Sequence, residues 1–222
     1  MQTTALHSTT LAFKSARKPQ LAQAWAKELI RRCGVDLRIV GNPPPPGMLH
    51  VANHRSYIDI MVLASCSETT FLAKQEIKSW PLLGSAAERV GTVFVERGSR
   101  HSGATAMKAI GDRLARGESV TVFPEGTSTA APGVGEFQKG VFRFAAQRRL
   151  PIVPVAVEYE RATDAWTAAD ADSTFVPHFV NTFSRKKVAV RVAFGDPLSD
   201  RDPDQLRETA RSWIQSNLEV PT

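Results

Sequence analysis

Two cysteines in 222 residues, Cys33 and Cys66, match no metal-ligand spacing and make no framework of paired half-cystines, so free thiols in a reducing compartment are expected. The opening stretch MQTTALHSTTLAFKSARKPQ lacks the continuous apolar run of a secretory leader. Nowhere do about 18 consecutive apolar residues occur, so any contact with a bilayer would be peripheral. The G-x-S-x-G elbow is missing as well, which removes the usual nucleophile placement of a serine hydrolase. No recognised nucleic-acid reader motif or aromatic-basic stripe accompanies the positive charge, and there is no internal repeat.

What is present is enough apolar residue, 42% of the chain, for one domain with a sizeable core. The net charge of +6 and pI near 9.6 point to an anionic partner without choosing among nucleic acid, anionic lipid and a phosphorylated substrate. Much of that charge lies in the first 40 residues. Within them, 20–33 place Leu21, Ala22, Trp25, Ala26, Leu29, Ile30 and Cys33 on one helical arc, with Gln23, Lys27 and Arg31 opposite. This amphipathic face either packs on the domain or docks on an anionic bilayer. The chain therefore divides into an N-terminal amphipathic segment, 1–34, and a domain over 35–222.

Beyond the stiff connector GNPPPPG, apolar and β-branched runs predict strands at 35–40, 48–53, 69–74, 91–96, 119–124, 151–159 and 187–195. Helical patterns fall between most of them. One helix is expected to start near Ser56, another spans 101–116 with Gly117 as its C-terminal cap, and a last one runs from about Pro203 to Leu218. Alternating strands and helices give an α/β fold with a mostly parallel or mixed sheet between helices, whose ligands gather at the carboxyl ends of the strands. Residues 160–179 show little regular pattern and read as a long excursion or lid.

Three clusters could carry chemistry. In VANHRSYIDI a strand ends at Asn53-His54, and Asp59 falls in the first turns of the next helix. A turn at His54 lets Asp59 accept a hydrogen bond from the ring, fix its tautomer and stabilise the imidazolium formed on proton capture, as a general base requires. Alone the pattern is weak, since some His-x4-Asp pair arises by chance roughly one time in five. In SVTVFPEGTSTA, Pro124 stops a strand, Gly126 permits a tight path, and Glu125 and Thr127 present polar groups at the same edge; an ordinary turn is the competing reading. Lys74, Arg97 and Arg100, with His101 close behind, follow strand ends, where cations suit a phosphate better than a merely solvated surface would.

Taken together the motifs resemble the glycerolipid acyltransferase family, which includes bacterial lysophosphatidate acyltransferases. Asn53-His54 with Asp59 fits NHx4D, Gly91, Phe94 and Arg97 fit GxxFxxR, Phe123 to Thr127 fit FPEGT, and Leu150 to Val155 fit the fourth, Pro-containing block. The four blocks stand in order over about 110 residues, a far stronger signal than any one of them.

The resemblance implies transfer of a fatty acyl group from a thioester, on coenzyme A or acyl carrier protein, to the hydroxyl of a lysophospholipid at an anionic membrane surface, with the protein cytoplasmic and peripheral to the inner face. His54 would be the base and Asp59 its orienting partner. Lys74, Gly91, Phe94, Arg97, Glu125, Gly126 and Thr127 would be substrate-binding, with Arg97, Glu125, Gly126, Thr127 and Lys74 holding the phosphorylated acceptor. Neither a metal nor a redox cofactor is implied, and no nucleic acid partner. Lysophosphatidate is the first acceptor implied. Ser128, Thr129 and Ala130 stand where many such enzymes follow FPEGT with Arg, which keeps lyso-ornithine lipid and glycerol 3-phosphate open, along with a non-catalytic lipid-binding role.

Overall fold

The structure, a computed structural model, describes residues 18–79, 83–89, 91–95, 100–166, 171–185 and 187–219. In chain order the elements are α1 (Lys18–Arg32), β1 (Val35–Val40), β2 (Leu49–Ala52), α2 (Ile58–Cys66), β3 (Thr69–Lys74), a 3-10 turn (Gln75–Ser79), α3 (Leu83–Arg89), β4 (Val93–Val95) and α4 (Arg100–Leu114). Then follow β5 (Ser119–Val122), α5 (Gly140–Arg148), β6 (Ile152–Tyr159), a 3-10 turn (Ala162–Asp164), α6 (Ala171–Phe183), β7 (Val188–Phe194) and α7 (Pro203–Ser216).

The strands form one sheet in the order β1-β7-β6-β2-β5-β3-β4. All neighbours are parallel except β6 and β7. The central strands β2, β5 and β6 are buried at every position, which is why they read as continuous apolar runs rather than alternating ones. One face of the sheet carries α1, α2 and α6 over a core that includes Ala26, Val62, Phe71, Val155 and Phe175; the other carries α4, α5 and α7 over Ile110, Phe142, Leu206 and Ile214.

Helix α1 settles on the domain. Ala22, Ala26 and Ile30, spaced by four, are buried against α2, and Gln23 donates to the Ser65 carbonyl at 3.2 Å. Small residues at two of the three contact positions let the helices approach closely. The charges on its outer side pair among themselves, Glu28 with both Arg31 and Arg32.

One expectation needs correction. The stretch 160–179, read as irregular, contains most of α6, with Pro177 inside the helix. Phe175, Phe179 and Phe183 are four apart and pack on the core, while Tyr57 meets Phe175 edge-on at 5.0 Å. The helical stripe was in the sequence, but Pro177 and the polar residues around it mask the period. Proline costs the helix one internal hydrogen bond, and aromatic packing offsets it.

Registers fix what stands level with what. Ala52 at the end of β2 pairs with Val155, so β6 runs four residues further, to Tyr159. This overhang stands beside the turn that follows β2.

A polar thread also crosses the sheet at mid-height: His50 Nδ1 lies 3.1 Å from Thr121 Oγ1, which lies 2.8 Å from Thr69 Oγ1. His50 is 1% exposed, and burial pushes its imidazole down to about 4. Its charged form is therefore excluded from the fold and available only to the unfolded chain. Stability is complete above the ordinary histidine range and falls as pH drops from about 6.5 towards 4. We predict that between pH 7 and pH 5 the wild type loses about 2 kcal/mol more than His50→Gln, measured by urea unfolding. Parallel pH dependences for the two proteins would contradict this.

Candidate active site

Strand β2 ends at Ala52, and the chain must turn before α2 begins at Ile58. Asn53 closes the strand with its side chain: Nδ2 donates to the Val157 carbonyl at 2.9 Å, and Oδ1 accepts from the Val157 amide at 2.8 Å. The amide thus extends the β2–β6 pairing by one more position onto the overhang. It also frees the next residue, His54, to leave the sheet.

His54 Nδ1 lies 2.8 Å from Asp59 Oδ2, and the same oxygen accepts from the amides of Arg55 at 2.7 Å and Ser56 at 3.0 Å. Asp59 Oδ1 accepts from the Tyr159 hydroxyl at 2.6 Å. The carboxylate has no exposed surface. With a carboxylate at Nδ1, that nitrogen carries the proton and Nε2 is left as the basic position. Among the described residues Nε2 has no hydrogen-bond partner, and the side chain keeps 17% of its surface open. One ring face is closed by Phe123, stacked at 4.0 Å between centroids and 16° between planes. Together these contacts give a tautomer-fixed imidazole with one free nitrogen, the arrangement of a general base.

Phe123 opens the turn after β5. Gly126, at φ 80°, occupies the left-handed region that lets the turn close, and its amide reaches the Phe123 carbonyl at 3.1 Å. Glu125 points inward: its oxygens take the His54 amide at 3.4 Å and the Gly135 amide at 3.2 Å. Burial raises its carboxyl above the ordinary range, opposed by those amides. Glu125 is thus engaged in holding the backbone of His54. Thr127 is exposed at the rim. Further along, α7 grips the same loop: Gln215 accepts from the Val134 amide at 2.9 Å, and Arg211 donates to the carbonyls of Val134 at 2.7 Å and Gly135 at 2.9 Å.

The structure brings His54, Asp59, Glu125, Gly126 and Thr127 to one edge, the carboxyl ends of β2 and β5. Lys74 closes β3 on that same edge. Phe94 pairs with Ala73 on β4, the outermost strand and three positions away from β2. Gly91 precedes β4 at φ 76°, its amide bonded to Glu88 at 3.0 Å in the turn leaving α3; by register it stands below the level of His54. Its visible task is that turn. Arg97 lies outside the described residues, as do the side chains of Lys74, Arg100 and His101.

Sequence reading missed Tyr159, whose only local signal is its place at the end of a strand. It also missed Arg55, which spans two loops: its guanidinium donates to the Ala131 carbonyl, and its own carbonyl accepts from the Trp166 amide at 2.7 Å. The Arg185-Lys186-Lys187 cluster is partly engaged within the fold, Arg185 with buried Asp164 and Lys187 with Asp36; Lys186 lies outside the described residues.

A model of the Acyltransferase family matches residues 36–158, over half of the chain. The chain belongs to the glycerolipid acyltransferase family. Similar proteins include a lyso-ornithine lipid O-acyltransferase of Pseudomonas aeruginosa, 30% identical over 201 residues covering 90% of this chain and 77% of that one. A 1-acyl-sn-glycerol-3-phosphate acyltransferase of Neisseria meningitidis is 32% identical over 193 residues, covering 82% of this chain and 76% of the relative. The crystal structure of the 1-acyl-sn-glycerophosphate acyltransferase PlsC from Thermotoga maritima shares the fold, with a TM-score of 0.65 at 20% identity over 91% of this chain and 80% of that one. No helix of this acyltransferase, among the described residues, is long and apolar enough to cross a membrane.

Asn53 gives the geometry its first test. Asn53→Ala leaves the amide and carbonyl of Val157 buried without partners, and the acyltransferase should lose roughly 2–4 kcal/mol in chemical denaturation. A loss under about half a kcal/mol would mean that water or a backbone shift replaces both bonds.

Proposed function

We propose that this protein transfers a fatty acyl group from a thioester, on coenzyme A or acyl carrier protein, to the hydroxyl of a lysophospholipid, with lysophosphatidate as acceptor and phosphatidate as product. The observation that carries this reading is the His54 ring held 2.8 Å from a buried carboxylate with its other nitrogen open, in a chain whose relatives are named for acyl transfer. Nε2 takes the proton of the acceptor hydroxyl as its oxygen attacks the thioester carbonyl carbon. Asp59 stabilises the imidazolium. The tetrahedral intermediate then collapses, the carbon–sulfur bond breaks, and the thiolate recovers the proton from His54. The acceptor is itself the nucleophile, so no acyl-enzyme forms and no metal or redox cofactor takes part.

In this reading Lys74 and Arg97 hold the acceptor phosphate, Thr127 offers a hydroxyl at the rim, and Glu125 and Gly126 shape the turn. Phe94 lies on β4, which leads to Arg97, and Gly91 forms the turn that starts that strand. The protein works at the inner face of an anionic membrane. There its acceptor is dissolved, and its positive charge favours that surface.

Lyso-ornithine lipid is the second reading of the acceptor. It is favoured by the relative matched over 90% of this chain and by Ser128, Thr129 and Ala130, which add no cation after Thr127.

Purified protein given palmitoyl-CoA and a panel of lysophosphatidate, lyso-ornithine lipid and glycerol 3-phosphate, followed by lipid mass spectrometry, decides among them. A phosphatidate product is expected; acylation of lyso-ornithine lipid alone would replace the first reading with the second. His54→Ala should lower kcat about a thousandfold with the fold intact by circular dichroism. Arg97→Ala should raise the acceptor KM about tenfold with kcat little changed, and a rise confined to the thioester KM would move the phosphate site elsewhere.

A further inference from the structure

Tyr159 stands at the tip of the β6 overhang, 5% exposed, and its hydroxyl donates to Asp59 Oδ1 at 2.6 Å. The two oxygens of Asp59 are unequally served. Oδ2 takes the ring and two amides, all from residues 54–56, whereas among the described residues the donor on Oδ1 comes from 100 residues away. The amides of Arg55 and Ser56 are fixed by the turn itself. Among the described residues, Tyr159 is the side chain besides His54 that hydrogen-bonds the Asp59 carboxylate, and so bears on how much negative charge it offers to the imidazole.

We propose that Tyr159 is a positioning residue of the acyl transfer reaction, which tunes the basicity of His54 through the second oxygen of Asp59. The proposal rests on the assignment of His54 as the base. A charge-assisted hydrogen bond of this kind withdraws density from the carboxylate and locks its rotation, so the oxygen facing His54 keeps both its place and a moderated pull on the ring proton. The phenol stays protonated for the task, because burial, then the neighbouring Asp59 charge, raises its pKa well above the ordinary tyrosine range. The neighbouring Ser56 side chain opposes part of that rise. The other titratable or charged groups meeting this network among the described residues are Glu125, from the turn after β5, and Tyr57 and Arg55 on the segment of His54 itself.

Tyr159→Phe removes one oxygen atom and keeps the ring. The carboxylate then concentrates its charge on His54, which holds its proton more tightly. The acidic limb of the kcat profile should move up by about half to one pH unit, and plateau kcat should fall about tenfold from lost alignment, with both KM values nearly unchanged. A purely structural role would cost stability without moving the limb.

Replacing tyrosine by difluorotyrosine makes the phenol a stronger donor. Because the chain has two tyrosines, doing this in a Tyr57→Phe background confines the change to Tyr159, and the limb should move down. This second variant answers the question should Tyr159→Phe fold poorly. Titration of the His54 ring by NMR separates the two assignments. A ring pKa unchanged in both variants overturns the proposal. A ring pKa that moves while the kinetic limb stays upholds the coupling and overturns His54 as the base.

Discussion

A carboxylate with no exposed surface is tolerable only where donors replace the water it has lost, and that requirement at Asp59 organises this edge of the sheet. Two of its donors are main-chain amides of a turn, so the chain between His54 and Asp59 has to curl in one particular way. The third is the imidazole. The fourth comes from β6, and it reaches Asp59 because β6 continues past the end of β2. Asn53 secures the same overhang from the other strand. The placement of the His54 ring thus follows from satisfying a buried charge, with strand length as the variable that makes the solution available.

The elements themselves were readable in the sequence. Apolar β-branched runs became strands at all seven places, Gly117 closes α4 with φ 74°, and Asp202 caps α7 by accepting from the Asp204 and Gln205 amides. The pairing of His54 with Asp59 was legible because it is local and spans five residues. Tyr159 was not, since its contact depends on β6 lying next to β2, and strand order is decided by tertiary packing that no local pattern records. Gly91 shows the same limit from the other side. A motif names it beside Arg97, but only the register reveals that it stands near the opposite end of its strand from the edge that carries His54.

Charge tells a similar story. A basic sequence suggests a broad cationic surface, yet several of its cations are used within the fold: Arg31 and Arg32 on Glu28, Arg185 on buried Asp164, and Arg211 on two carbonyls. Composition counts such groups as available. The fold uses Arg185 and Arg211 to hold loops and pairs Arg31 and Arg32 with Glu28 on the surface of α1, so the formal charge overstates the cations left without a partner.

The loop that follows β5 joins parts of the molecule far apart in the chain. Its first residue, Phe123, lies flat on the His54 ring, Glu125 takes the His54 amide and that of Gly135, and α7 grips Val134 and Gly135 through Gln215 and Arg211. Read in reverse, this is a gear train of rigid contacts from the last helix to the imidazole. The tilt of the ring is therefore set partly from the far end of the polypeptide. A displacement of that helix would reach His54 through two loop residues and one carboxylate, so the helix and the ring share one set of constraints although they lie on distant parts of the sequence.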